Sequence, residues 1–105
     1  ENELFKEFKG ALTEQYVMQQ LRTNRQNMIY YWSQDNSQGE IDFLVQQGVR
    51  IYPIEVKAEE NLQSKSLRWF VEHNTGLRGV RFSMSGYRDQ DWLTNYPLYS
   101  VEAIM

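Results

Sequence analysis

The segment GEIDFLVQQGVRIYPIEVK, residues 39–57, decides how this chain is read. Residues 40–46 set Ile41, Phe43 and Val45 against Glu40, Asp42 and Leu44, the period-two pattern of a half-buried strand. Residues 49–57 form a second run, with its buried side at Ile54 and Val56. Gln47-Gly48 supplies a turn between them, so the two runs are expected to pair as an antiparallel hairpin. Pro53 has no N–H to donate, and its place is expected at an edge or an irregularity of the sheet.

The hairpin also gathers chemistry. Residues i and i+2 of a strand share a face, so Glu55 and Lys57 project side by side, and Asp42 reaches the same neighbourhood from the partner strand. Carboxylates within apolar strands are costly to bury without a partner or a metal. Two of them held together repel, and one pKa rises unless a cation neutralises the pair. Mg²⁺ or Mn²⁺ suits such a place, because Mg²⁺ is commonly held by one or two carboxylates with waters and phosphate oxygens filling its shell. Lys57 alongside is positioned to orient a water or to offset charge in a transition state. The alternative for the same residues is a structural salt bridge between Lys57 and one acid, with the other acid solvated at a strand end.

Outward from the hairpin, residues 4–22 carry apolar side chains at helical spacing, with Gly10 the one weak point. Such a glycine is also a place where another element can approach closely. Glu14 shares a stripe of that helix with Ala11, Met18 and Leu21. It therefore sits either at the flank with its head in water or aimed into a site. Residues 28–33 are dense in β-formers and read as a strand, and 34–39 as a polar turn. Residues 61–64 offer helix-start chemistry, followed by Leu67, Phe70 and Val71 on one helical face. Residues 80–84 read as a fourth strand. Beyond Gly86, residues 89–91 read as loop, 97–99 as a short extended piece and 101–105 as a last helical turn. The order is αβββαβ, followed by a short tail.

Further features have two readings each. Lys65, Ser66 and Arg68 open the second helix, where free N–H groups and cations either hold a phosphate or simply face water. His73, the only histidine, falls at that helix's C-terminus, a favourable place for a cation-capable ring. Trp32, Trp69 and Trp92 have the surfaces to stack bases, but aromatics at strand and helix spacing usually belong to a core. No phosphate-cradling GxxxxGK[ST] or GxGxxG occurs.

At 105 residues and 41% hydrophobic content, the chain has enough for a single domain with one core, spanning residues 1–105. The absence of cysteine excludes disulfides, thiolate metal sites and a cysteine nucleophile, and fits a cytoplasmic protein. No stretch is long and apolar enough for a membrane span. The net charge of −3 argues against stand-alone nucleic-acid binding through phosphates. That charge is uneven, however, since Lys65, Arg68, Arg78, Arg81 and Arg88 make the second half more basic. The first residue is not methionine, and the chain is expected to be a domain of a longer protein.

An acid on the first helix, Asp on the second strand and E-x-K on the third, within αβββαβ, resembles the PD-(D/E)xK nuclease superfamily. Glu14, Asp42, Glu55 and Lys57 carry this likeness, although Ile41 precedes Asp42 where the motif has proline. A wider likeness runs through KGALTEQYVMQQL, YYWSQDNSQGEIDFLV, IYPIEVKAEENLQSKSLRWF and YPLY. These segments resemble the uncharacterised domain at the C-terminus of many prokaryotic AAA-type ATPases. The resemblance implies an α/β restriction-endonuclease-like fold, with a mixed central sheet flanked by helices. It implies that Asp42, Glu55 and the Val56 carbonyl bind Mg²⁺ or Mn²⁺, that Lys57 works on the water, and that Glu14 completes the acidic cluster. It also implies an ATPase module in the same full-length chain. The leading expectation is a metal-dependent phosphodiesterase acting on DNA or RNA. The alternatives are a catalytically silent module that binds a protein through an apolar patch at Trp69, Trp92 or Tyr96, and a nucleic-acid-binding domain without cleavage.

Overall fold

The computed structural model describes residues 3–32, 41–58 and 64–105, and the side chains of 9–31, 42–58 and 64–105. In chain order the elements are helix α1 (Glu3–Arg22), strands β1 (Met28–Trp32), β2 (Ile41–Gln47) and β3 (Arg50–Lys57), and helix α2 (Lys65–Glu72). Strands β4 (Gly79–Ser83), β5 (Arg88–Asp89) and β6 (Leu93–Pro97) follow, then a 3₁₀ turn (Leu98–Ser100) and a short helix α3 (Val101–Ile104). The polar turn expected over 34–39 and the helix-start chemistry of 61–63 lie outside the described residues.

The decisive hairpin forms as its alternation requires. β2 and β3 pair antiparallel from Phe43↔Ile54 to Gln47↔Arg50. The turn closes because Gly48 adopts φ 63°, a left-handed conformation that costs glycine little. β1 adds antiparallel to β2, while β4 adds parallel to β3 after the α2 crossover.

The tail departs from expectation. Residues 93–97 are a full strand, parallel to β4, and the sheet order is β1-β2-β3-β4-β6-β5. Asp89, expected in a loop, pairs with Thr94, and Arg88 before it pairs with Asn95. The sequence LTNYP lacks an apolar run, yet Leu93, Thr94 and Asn95 are all buried, because their polar groups are satisfied within the fold. Pairing with β4 made this strand, not local propensity. Pro97 ends it, and Leu98–Ser100 turns into 3₁₀ where an extended piece was expected.

Pro53 is a second departure, since it is fully buried and opposite Leu44 in a central strand. The β3–β4 ladder begins only at Ile54↔Val80, so Pro53 stands one residue before the point where that side needs a donor. Gly10 shows no close approach: a Cβ there would meet nothing within 4 Å among the described residues.

Two cores cover the two faces of the sheet. Val17, Met18 and Leu21 of α1 pack on Phe43, Val45, Ile54, Val80 and Phe82, with Val101 and Met105 closing the end. Leu67 and Phe70 of α2 pack on Leu93 on the opposite face, with Leu44, Trp69 and Trp92 around them. Among the described residues of α1 the buried stripe is Val17, Met18 and Leu21, and Leu12 and Tyr16 stay exposed.

Candidate functional site

Strand alternation assigns the site to the α2 face. Ile54 and Val56 turn to α1, so Glu55 and Lys57 turn the other way. Lys57 Nζ lies 3.5 Å from Glu55 Oε1, and their side chains are 29% and 13% exposed. The salt bridge of the structural reading is therefore present. Glu55 Oε2, however, is buried and has no hydrogen-bond partner among the described residues. A bare carboxylate oxygen out of water is costly, and it points to a ligand or an ordered water at that position.

Asp42 reaches the same place from β2. The β2–β3 ladder stops at Phe43↔Ile54, and one step further the Val56 N–H donates to Asp42 Oδ2 at 2.7 Å. The side chain thus takes the place of the next ladder acceptor, and the two strands part around it. The N–H and C=O of one strand residue lie along the same edge, so the Val56 carbonyl faces this opening too.

Arg81 lies on β4 in register with Glu55. It is 2% exposed, and it donates through Nε to Asn95 Oδ1 at 2.7 Å and through Nη1 to Ser64 Oγ at 2.8 Å. Burial pulls the guanidinium pKa below its ordinary value; the charge of Glu55 opposes this and that of Arg88 adds to it. Asn95 Oδ1 also accepts from Ser83 Oγ, while its Nδ2 donates to the Gly86 carbonyl at 2.9 Å. The floor under Glu55 is therefore a polar network from β4 and β6, joined to the start of α2 and to the loop at Gly86. The sequence held one signal for it. Arg81 and Ser83 occupy the polar positions of V-R-F-S just as Glu55 and Lys57 occupy those of I-E-V-K.

Other residues singled out from the sequence lie elsewhere or are engaged. Glu14 is half-buried, one turn before Val17 and Met18, along a groove of about 380 Å³ bounded by Met18, Arg22, Tyr31 and Phe43. Among the described residues, no group of three or more His, Asp and Glu is placed to hold a metal ion. At the start of α2, Lys65 is exposed and Ser66 half-buried, while Arg68 bonds Glu72 at 2.7 Å and sits 5.9 Å above the Trp92 ring. Ser64, the residue before α2, caps nothing with its side chain, since Arg81 occupies its hydroxyl. His73 stacks on Trp69 with ring centres 4.2 Å apart, and its Nδ1 lies 2.7 Å from the Trp69 carbonyl, a structural role.

Residues 9–101 match the family described as Domain of unknown function (DUF4143). The chain belongs to this family. No curated protein and no solved structure matches it. The DUF4143 match takes in α1 from Lys9, the whole sheet and α2, so every residue of the site described above lies within the family domain. No helix among the described residues is long and apolar enough to cross a membrane.

Proposed function

We propose that this DUF4143 domain is a divalent-metal-dependent phosphodiesterase of the PD-(D/E)xK type, acting on nucleic acid in the cytoplasm. In this reading it is governed by an ATPase module of the same full-length chain. The observation that carries the reading is Glu55 Oε2, a buried carboxylate oxygen with no hydrogen-bond partner among the described residues, beside Lys57 and on the same sheet face as Asp42 of the neighbouring strand.

The donor set fits Mg²⁺ or Mn²⁺: two carboxylates, from Asp42 and Glu55, with the Val56 carbonyl on the same opening, and waters for the rest. Bound there, the ion would acidify a coordinated water and offset charge on the phosphoryl oxygens. The chain's own groups supply the remainder. Lys57 holds the attacking water by hydrogen bonding and places a positive charge against the phosphate. Arg81 fixes the Glu55 end of the site from below, through its bonds to Asn95 and Ser64. Glu14, on α1 against the opposite face of the sheet beside Met18 and Phe43, stands outside this donor set. Lys65 and Ser66, at the free end of α2, serve as a secondary phosphate contact.

A second reading has its own observation. Arg81 already stands beside Glu55 as a buried countercharge, which suits a catalytically silent module that keeps the fold and not the reaction. Thermal unfolding with Mn²⁺ separates the two. An ion that binds only the folded domain stabilises it by about 2.7 kcal/mol at a hundredfold excess over Kd. The midpoint is expected to rise with millimolar Mn²⁺ in the wild type and not in Asp42→Asn or Glu55→Gln. Lys57→Ala is expected to lose cleavage and keep the metal response. A wild-type domain indifferent to Mn²⁺ and Mg²⁺ would leave the silent module standing.

A further inference from the structure

Strand register draws a line of polar residues across the sheet. Glu55 of β3 is in register with Arg81 of β4, Arg81 with Asn95 of β6, and Asn95 with Arg88 of β5. Register partners on neighbouring strands share a face, so all four project to the α2 side. The alternate residues Val80, Phe82 and Tyr96 belong to the core under α1. Three strand spacings of about 4.8 Å set the Arg88 backbone about 14 Å from that of Glu55. The start of α2 stands over the middle of the line, where Ser64 Oγ accepts from Arg81 Nη1 at 2.8 Å.

Arg88 ends this line at the edge of the sheet. It is exposed, and among the described residues its guanidinium has no ion pair or hydrogen-bond partner. Asp89, the next residue, projects to the other face and is taken by Arg78 and Thr94. Burial lowers the Arg81 pKa, the charge of Glu55 opposes this, and the charge of Arg88 lowers it further. The two guanidiniums therefore stand within each other's field, an arrangement that a bound anion would relieve. Lys57, 29% exposed, flanks Glu55 at one end of the line, and exposed Lys65 opens α2 above it. On a chain of net charge −3, cations gathered along one line suit a polyanion that follows that line.

We propose that Arg88 is a backbone-phosphate contact for a nucleic acid whose reacting phosphate lies at Asp42 and Glu55, the strand running across the sheet from β3 to β5 past the first turn of α2. The inference rests on the proposed function. It adds the path of the substrate and a residue that grips it away from the reacting atoms. A guanidinium suits the role, since its fork matches two phosphate oxygens at once.

The test is the salt dependence of binding, read by fluorescence anisotropy of the whole domain in Ca²⁺ with a labelled DNA duplex and a labelled RNA single strand. One phosphate contact contributes about 0.9 to the slope of log K against log salt on a duplex, and about 0.7 on a single strand. Arg88→Gln is expected to lower the slope by that amount on at least one probe, alike for every base sequence, and to weaken binding about tenfold at low salt. Arg88→Lys, which keeps the charge, is expected to keep the slope. Without nucleic acid, Arg88→Gln is expected to melt no lower than the wild type, because it removes a like charge from beside Arg81. An unchanged slope on both probes, or a wild type that binds neither, would overturn the contact. So would an Arg88→Gln domain that melts lower, which would give Arg88 a structural role. The Mn²⁺ thermal shift, read without nucleic acid, keeps the two proposals apart. A shift with an unchanged slope removes the contact and leaves the metal site. A slope that falls without any shift removes the metal site and leaves Arg88 on a domain that binds nucleic acid without cleaving it.

Discussion

Glu55→Gln changes one atom and one charge, and the structure sets the sign of its effect on the metal-free domain. If the dominant force on Glu55 were repulsion from Asp42, removing the charge would stabilise the protein. The register places Arg81 beside it instead, 2% exposed and with its guanidinium fixed by Asn95 and Ser64. Neutralising Glu55 leaves that guanidinium buried with less opposing charge. Breaking a fully buried pair costs about 3–5 kcal/mol. Here Lys57 shares Glu55 at 3.5 Å and is itself 29% exposed, so it relaxes toward water when its partner goes. The net loss is accordingly set lower, at about 2 kcal/mol, or roughly 10 °C in Tm for a domain of this size. Urea unfolding followed by tryptophan fluorescence measures it, since Trp69 and Trp92 pack around the α2-face core. The double variant Glu55→Gln/Arg81→Met is expected to recover part of the loss, because an apolar side chain in place of the guanidinium removes a buried charge that has lost part of its opposing charge. A Glu55→Gln domain as stable as the wild type, or more stable, would refute the pairing and restore carboxylate repulsion as the larger effect.

Three other outcomes follow from the same contacts. Arg78→Met should cost about 2 kcal/mol and loosen the β5–β6 turn first, because Arg78 bonds Thr94 Oγ1 at 2.8 Å, the Asp91 carbonyl at 3.0 Å, the Gln90 carbonyl and Asp89; amide exchange at residues 88–94 reports it. Gly79→Ala should cost about 1 kcal/mol in urea unfolding, since the added Cβ would sit 3.2 Å from Leu67 and 3.3 Å from the Trp92 carbonyl. Tyr96 has its pKa raised above the ordinary 10.0, first by burial and then by Tyr87 and Asp89. The folded state therefore holds that proton longer than the unfolded state, and stability is expected to be intact below about pH 10 and to fall as pH climbs through the folded value; Tyr96→Phe should flatten that part of the alkaline profile.

The local pattern of the chain determined a good deal. Alternation around Gly48 specified β2, β3 and their antiparallel pairing, because a period of two with one apolar side leaves a single register that buries Phe43, Val45 and Ile54 together. It also put Glu55 and Lys57 on one face, and helical spacing put Met18 and Leu21 in the core. Only the tertiary structure decided β6, whose polar LTNYP becomes a buried strand by pairing with β4 and by satisfying Thr94 and Asn95 through Arg78, Ser83 and Arg81. The same holds for Pro53, admitted to a central strand by the late start of the β4 ladder. Arg81 completes the case. Its charge is visible in the chain, but its partnership with Glu55 arises from a parallel pairing across a helical crossover, a contact between residues 26 positions apart that no local pattern encodes.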